Sequence, residues 1–90
     1  MMLKKSITKT APVLAESLES YSVLNGAIKA QLAVVIQADP ENTDIVYIGN
    51  TDSQDFGLSA ASGITLFVID TDEIVIKGNG SDSVNVLVSA

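Results

Sequence analysis

Short runs of alternating apolar and polar residues, each closed by a cluster of turn formers, recur along most of this 90-residue chain. That pattern constrains the fold more than any other feature. The longest run is AIKAQLAVVIQAD. In it Ile28, Ala30, Leu32, Val34 and Ile36 alternate with Lys29, Gln31, Ala33, Val35 and Gln37. One register is wholly apolar, as a strand with one face on a core requires. Asp39-Pro40-Glu41-Asn42-Thr43 then turns the chain, and DIVYIGN is a second strand ended by Gly49-Asn50. Further on, ITLFVID, EIVIKG and SVNVLVSA alternate in the same way, separated by Asp70-Thr71-Asp72 and by Gly78-Asn79-Gly80-Ser81-Asp82. Strands at roughly ten-residue spacing predict an all-β fold, a small antiparallel β-sandwich that is jelly-roll-like. Residues 27–90 would form the sandwich and residues 1–26 an N-terminal arm with the first element or elements.

Two stretches lack a clear period. NTDSQDFGLSAASG, residues 50–63, is small and polar and reads as a loop of about a dozen residues, a length often tied to function. Residues 1–26 are open to two readings. Thr10 can cap a helix with Pro12 in its first turn and Asn25-Gly26 at its end, placing Leu14, Leu18 and Tyr21 on one face. Alternatively, residues 6–10 and 21–24 are irregular strands. The extended reading is preferred, because a lone short helix is marginal without a partner.

Composition narrows function. The chain has no cysteine and no histidine, and its sequence contains no arginine. Disulfides, thiolate metal sites, histidine general bases and guanidinium phosphate clamps are therefore excluded within one chain. Serine–histidine and cysteine–histidine nucleophiles fall with them, so the chain is not expected to be an enzyme or to carry a cofactor. Charge is uneven. Residues 1–30 carry +2 and residues 31–90 carry −8, making the total of −6. An acidic body repels phosphate backbones, so nucleic acid is not an expected partner. No apolar run is long enough to cross a membrane as a helix, and the stretch after Met1-Met2-Leu3-Lys4-Lys5 lacks the apolar region of a signal peptide. Lys4, Lys5 and Lys9 make a basic start that can contact a neighbour.

KGNGSDSVN, residues 77–85, contains Gly78, Gly80, Asp82 and Val84 in the spacing of a calcium-binding β-helix repeat. Such sites are assembled between stacked copies, and here there is one copy, with Lys77 in place of the first glycine. Flanked by alternating strands, the stretch is expected to be the turn of a β-hairpin, with Gly and Asn supplying positive φ. Asp70-Thr71-Asp72-Glu73 groups three carboxylates, but an EF-hand would need an oxygen ligand at Ile74, so a solvated turn is expected. The rings of Tyr47 and Phe67 are expected in the core or an interface. The basic residues that accompany a base-stacking platform are missing.

The succession DIVYIGN, GLSAASG, ITLFV and EIVIKGNGSDSVNVLV resembles a small β-domain of tailed-bacteriophage structural proteins. The resemblance covers about residues 27–90 and rests on Tyr47-Ile48-Gly49, Leu58, Ala60, Gly63, Ile74, Ile76, Gly78 and Val86-Leu87. It departs from the pattern where Ser62 separates Ala61 from Gly63. The resemblance implies a non-enzymatic virion component: a capsid decoration (cement) protein, a head fibre or a tail part. As a decoration protein it would be made in the host cytoplasm and sit on the capsid surface, bound to the major capsid protein or another virion protein. A tail or fibre component contacting a host surface through residues 50–63 is the first alternative. A calcium-dependent carbohydrate-binding module using Asp70, Asp72 and Asp82 is the second.

Assembly follows from the surplus of apolar residues. Ala33, Val35, Phe67 and Ile69 lie in the second registers of their strands, and one small sandwich cannot bury both faces of both strands. Val35 and Phe67, with Lys4, Lys5 and Lys9, are therefore the candidate interface residues. A homotrimer is expected, suited to the local three-folds of a shell, with residues 1–10 ordered only against the shell or a neighbour.

Overall fold

The computed structural model describes residues 3–18, 32–68 and 71–89. Among the described residues eight strands form two four-stranded antiparallel sheets. In chain order they are β1 (Leu3–Thr10), β2 (Glu16–Ser17), β3 (Leu32–Ala38), β4 (Val46–Gly49), β5 (Phe56–Leu58), β6 (Gly63–Val68), β7 (Val75–Lys77) and β8 (Ser83–Ser89). One sheet has the order β1-β8-β3-β6 and the other β2-β7-β4-β5. A 3-10 turn, Thr71–Glu73, precedes β7.

The pairing is nested. β1 pairs with β8, β2 with β7, β3 with β6 and β4 with β5. The further pairs β3·β8 and β4·β7 knit these ribbons into the two sheets. An antiparallel ribbon that begins at the β4–β5 turn and doubles over itself produces this order. Every connection between described neighbours, except β4 to β5, therefore passes from one sheet to the other.

The core lies between the sheets and follows the alternation of the sequence. Val34, Ile36 and Ala38 of β3 meet Val84, Val86 and Val88 of β8 on the inner face of the first sheet. Val46 and Ile48, Leu58, Ile76 and the loop residues Leu18 and Ile74 supply the other side. Each fully buried aliphatic side chain here is worth about 1.5–3 kcal/mol relative to exposure. With no tryptophan and two phenylalanines, β-branched residues on pleated surfaces provide nearly all of it.

The all-β sandwich expected from the sequence is what forms, while several details differ. Residues 78–82 do not close a hairpin: β7 and β8 lie in opposite sheets, so the turn is an arch between them. The same holds for the step from β6 to β7. Alternation fixes which face of a strand is buried, but it carries no information about which strand lies alongside. Residues 50–63 are not one loop, because β5 forms inside them and pairs with β4. Three residues with a central glycine, FGL, are too few to show a period. Within the expected arm of residues 1–10, Leu3–Thr10 does not wait for a neighbour: it pairs along its length with β8 of the same chain. No helix forms over residues 11–18, where Ala11 and Leu18 enter the core. Residues 21–24 and the first part of the AIKAQ run lie outside the described residues. Ala11 and Leu18, which flank β2, thus share one hydrophobic core with the strands of residues 32–89.

Candidate interaction surface

The arch at residues 78–82 shows what the calcium-like spacing does. Gly78 passes so close to Ala11 that an added Cβ would lie 2.6 Å from the Ala11 Cβ, and Gly80 has φ +86°. Their N–H groups donate to the carbonyls of Pro12 and Ala11, and the Ala11 N–H donates to the Asp82 carbonyl. Asn79 Oδ1 accepts from the N–H groups of Ser81 and Asp82, closing a local turn. Asp82 is 7% exposed. Its Oδ1 accepts from the N–H and, at 3.4 Å, the hydroxyl of Thr43. Its Oδ2 accepts from the Asp44 N–H at 2.8 Å and from Asn79 Nδ2. The Thr43 N–H, more than any other group, holds the Asp82 carboxyl below its ordinary value of 3.8. Burial opposes that shift, and the Asp44 N–H, the Thr43 hydroxyl and Asn79 add to it. Asn42 completes the junction by pairing both ways with the backbone of Ser83.

This arrangement serves to tie the 11–12, 39–44 and 78–83 segments together. Among the described residues no cluster of carboxylates could hold a metal ion. Asp72 lies in the 3-10 turn before β7 and Asp82 in the arch after it, so the strand separates them. Asp70 lies outside the described residues.

The outer face of the β1-β8-β3-β6 sheet is a different kind of surface. Its central rung sets Leu87 beside Val35 and Val35 beside Thr65. The next rung sets Ala33 beside Phe67. On the other side Thr8, Asn85 and Gln37 form a polar rung, with the Thr8 hydroxyl donating to Asn85 Oδ1 and Asn85 Nδ2 reaching Gln37 Oε1 and Asp39 Oδ2. Phe67 is 60% exposed, Leu87 42% and Val35 36%. Gly63 ends the polar rung without a side chain, leaving a shallow depression of about 310 Å³ floored by Val35 and Leu87 and walled by Gln37, Asn85 and Ala61. No ionisable residue stands on these three rungs among the described side chains, although the chain carries −6. Charge depletion around exposed aliphatic and aromatic groups is the composition of an interface centre.

The expected interface residues fall in different places. Val35 and Phe67 share the outer face just described. Lys9 does not join them. It stands opposite the buried Val84 on β1, and its Nζ lies 3.4 Å from Glu16 Oε1, an ion pair across the gap between the edges of the two sheets. Lys4 and Lys5 lie on β1, with Lys5 opposite Val88, and their side chains lie outside the description. Leu87 joins this face without being legible as an interface residue in SVNVLVSA, where the valine alternation marks only the inner register. Leu14, given a place on a helical face, is instead 82% exposed in the β1–β2 connection. Neither Tyr47 nor Phe67 is in the core. Tyr47 lies on the outer face of the second sheet between Gly57 and Lys77, with the Lys77 ammonium 5.9 Å from its ring centre. The two rings therefore cannot share a platform. Comparison with protein-family models, with curated proteins and with solved structures finds no match to this chain.

Proposed function

We propose that the nested strand order is a jelly roll and that the chain is a non-enzymatic structural protein of a tailed-phage virion. In this reading it is a capsid decoration protein that lays the outer face of the β1-β8-β3-β6 sheet on the major capsid protein or another virion protein. One observation carries the binding part: Val35, Leu87 and Phe67 are exposed together on rungs whose described side chains carry no charge, in an otherwise acidic protein. Eight strands in two sheets are an architecture used in viral shells, which agrees with the resemblance over residues 27–90. The lack of cysteine and histidine supports a role without catalysis. Virion placement rests on the resemblance.

The test uses particles from the strain that carries the gene. An antibody against the chain should label intact heads, and the chain should sediment with them. Val35→Asp combined with Phe67→Asp should leave the isolated protein folded and remove it from the heads. A chain that stays in the soluble fraction, or that labels tails alone, would overturn the decoration reading.

A further inference from the structure

The two sheets have four edge strands, and three of them carry devices that discourage pairing with another chain. β1 contains Lys4, Lys5 and Lys9 and an irregular register between Leu3 and Lys5. β2 is two residues long, and β5 is three with a central glycine. Lysines, bulges and short length are the usual protections of an edge. Within Gly63–Val68 β6 has none of them, the two-for-one pairing of Ala61 and Ser62 with Ala38 ending just before it. Its six residues, GITLFV, contain no charge and no proline, and they pair with β3 in unbroken register. No described strand lies along its other side.

The orientation of that free side follows from the ladder. The Ala38 N–H donates to the Ser62 carbonyl, so by alternation residues 64, 66 and 68 turn their backbone groups toward β3. Those of Gly63, Thr65 and Phe67 point away from it. The inward side chains of Ile64, Leu66 and Val68 stay partly exposed, although their partners Val34 and Ile36 on β3 are fully buried. The sandwich is therefore open along this edge, with a mainly apolar cleft of about 250 Å³ that Ile64, Leu66 and Val68 share with Phe56, Ile74 and Glu73.

We propose that β6 pairs with β6 of a second copy of this chain, antiparallel about a two-fold axis through Leu66, joining the two sheets into one of eight strands. The strand is complementary to itself in this register. Thr65 stands opposite the partner's Phe67, and their outward backbone groups form two hydrogen bonds on each side of the axis. Ile64 stands opposite the partner's Val68, and the two Leu66 side chains meet as a non-hydrogen-bonded pair, the closer kind. The exposed Phe67 rings then lie across the joint on the outer face, continuous with Val35 and Leu87. Charge favours the antiparallel arrangement: the turn with Asp72 and Glu73 that follows β6 lies on opposite sides of the two-fold axis in the two copies, whereas parallel pairing would set the two turns side by side. The pairing is independent of the virion reading. It gives a two-fold dimer, so the trimer expected from the sequence would need a second surface.

Sedimentation at micromolar concentration should give twice the 9.4 kDa monomer mass. Thr65→Pro removes one outward N–H and leaves the β3 ladder intact, as proline is tolerated on a free strand edge. It should give a folded monomer by circular dichroism. Should that variant fail to fold, Phe67→Lys provides the same test by placing two like charges at the joint. Leu66→Cys, in a chain that has no other cysteine, should form a disulfide-linked dimer on mild oxidation. A wild-type monomer overturns the proposal. So does an oligomer that survives Phe67→Lys and gives no Leu66→Cys crosslink, a result that would also exclude an interface centred on the outer face at Phe67.

Discussion

Asp82 brings a carboxylate into a loop junction where both oxygens already have donors. Replacing it with asparagine leaves one acceptor and turns an amide toward a backbone N–H, so the 39–44 segment loses part of its anchor. Because the folded-state pKa lies below the ordinary 3.8, protonation favours the unfolded chain. The stabilisation is fully present above the unfolded value and is lost as pH falls through the folded one. Asp82→Asn should therefore lower Tm at neutral pH, and the gap to wild type should close as pH falls below 3.8, as thermal melts in a pH series would show. Calcium should leave the wild-type Tm unchanged, since ligation would displace donors from both oxygens. Two backbone positions give a matched pair. Gly80 (φ +86°) and Ala61 (φ 68°) both adopt the left-handed region. Gly80→Ala meets only an ordinary 3.5 Å contact with Val13, so its cost is conformational, about 1–2 kcal/mol. Ala61→Gly relieves the same strain but loosens the unfolded chain, leaving a net gain under about 1 kcal/mol. Chemical denaturation distinguishes the two signs.

At the scale of the element, β3 separates its faces cleanly. Ile36 is fully buried between Ile64 and Val86, whereas Val35 on the opposite face is 36% exposed. Ile36→Ala should cost about 2–5 kcal/mol, and Val34→Asp should unfold the domain by burying an unpaired charge. Gln37→Ala should shift stability by less than about 0.5 kcal/mol in urea titrations. Similar losses at Ile36 and Gln37 would mean that both faces of β3 are buried in an assembly. The strand was legible because seven residues with a two-residue period and turn signals around them allow one reading. β5 was not, because its three residues gain strand character only by pairing with β4. The two glycines and the aspartate of the 78–82 arch announced a turn with positive φ. That turn has the same local chemistry whether it closes a hairpin or crosses between sheets.

For the whole molecule, the first and last strands are partners. Leu3 stands opposite Ser89, so the start of β1 lies beside the end of β8. Joining Ala90 to Met1 through a short glycine-serine linker and opening the chain between Asp52 and Ser53 should give a folded permutant with the same circular dichroism. The new ends would lie in an exposed turn held by Asn50. Deleting residues 1–10 should instead expose the edge of β8 and yield insoluble protein. Nested long-range pairing also requires loop closure before most contacts form, so refolding by stopped flow is expected on the millisecond-to-second scale of all-β domains.

The sequence by itself determined what depends on near neighbours along the chain. Alternation of β-branched residues with polar ones assigned Val34, Ile36, Val84, Val86 and Val88 to a core, and Val35 and Phe67 to the opposite faces of their strands. The absence of histidine and cysteine excluded whole classes of chemistry. Tertiary structure alone decided which strands became neighbours, and with that nearly everything about the surface. Leu87 joins Val35 because β8 lies beside β3, and Lys9 pairs with Glu16 because the edges of two sheets meet. Asp82 anchors the 39–44 segment because residues 43 and 44, far away in sequence, bring their N–H groups to it. Alternation sets only the facing of a strand. Its neighbour is chosen by the fit of all eight strands around one core, a property no local stretch of residues contains.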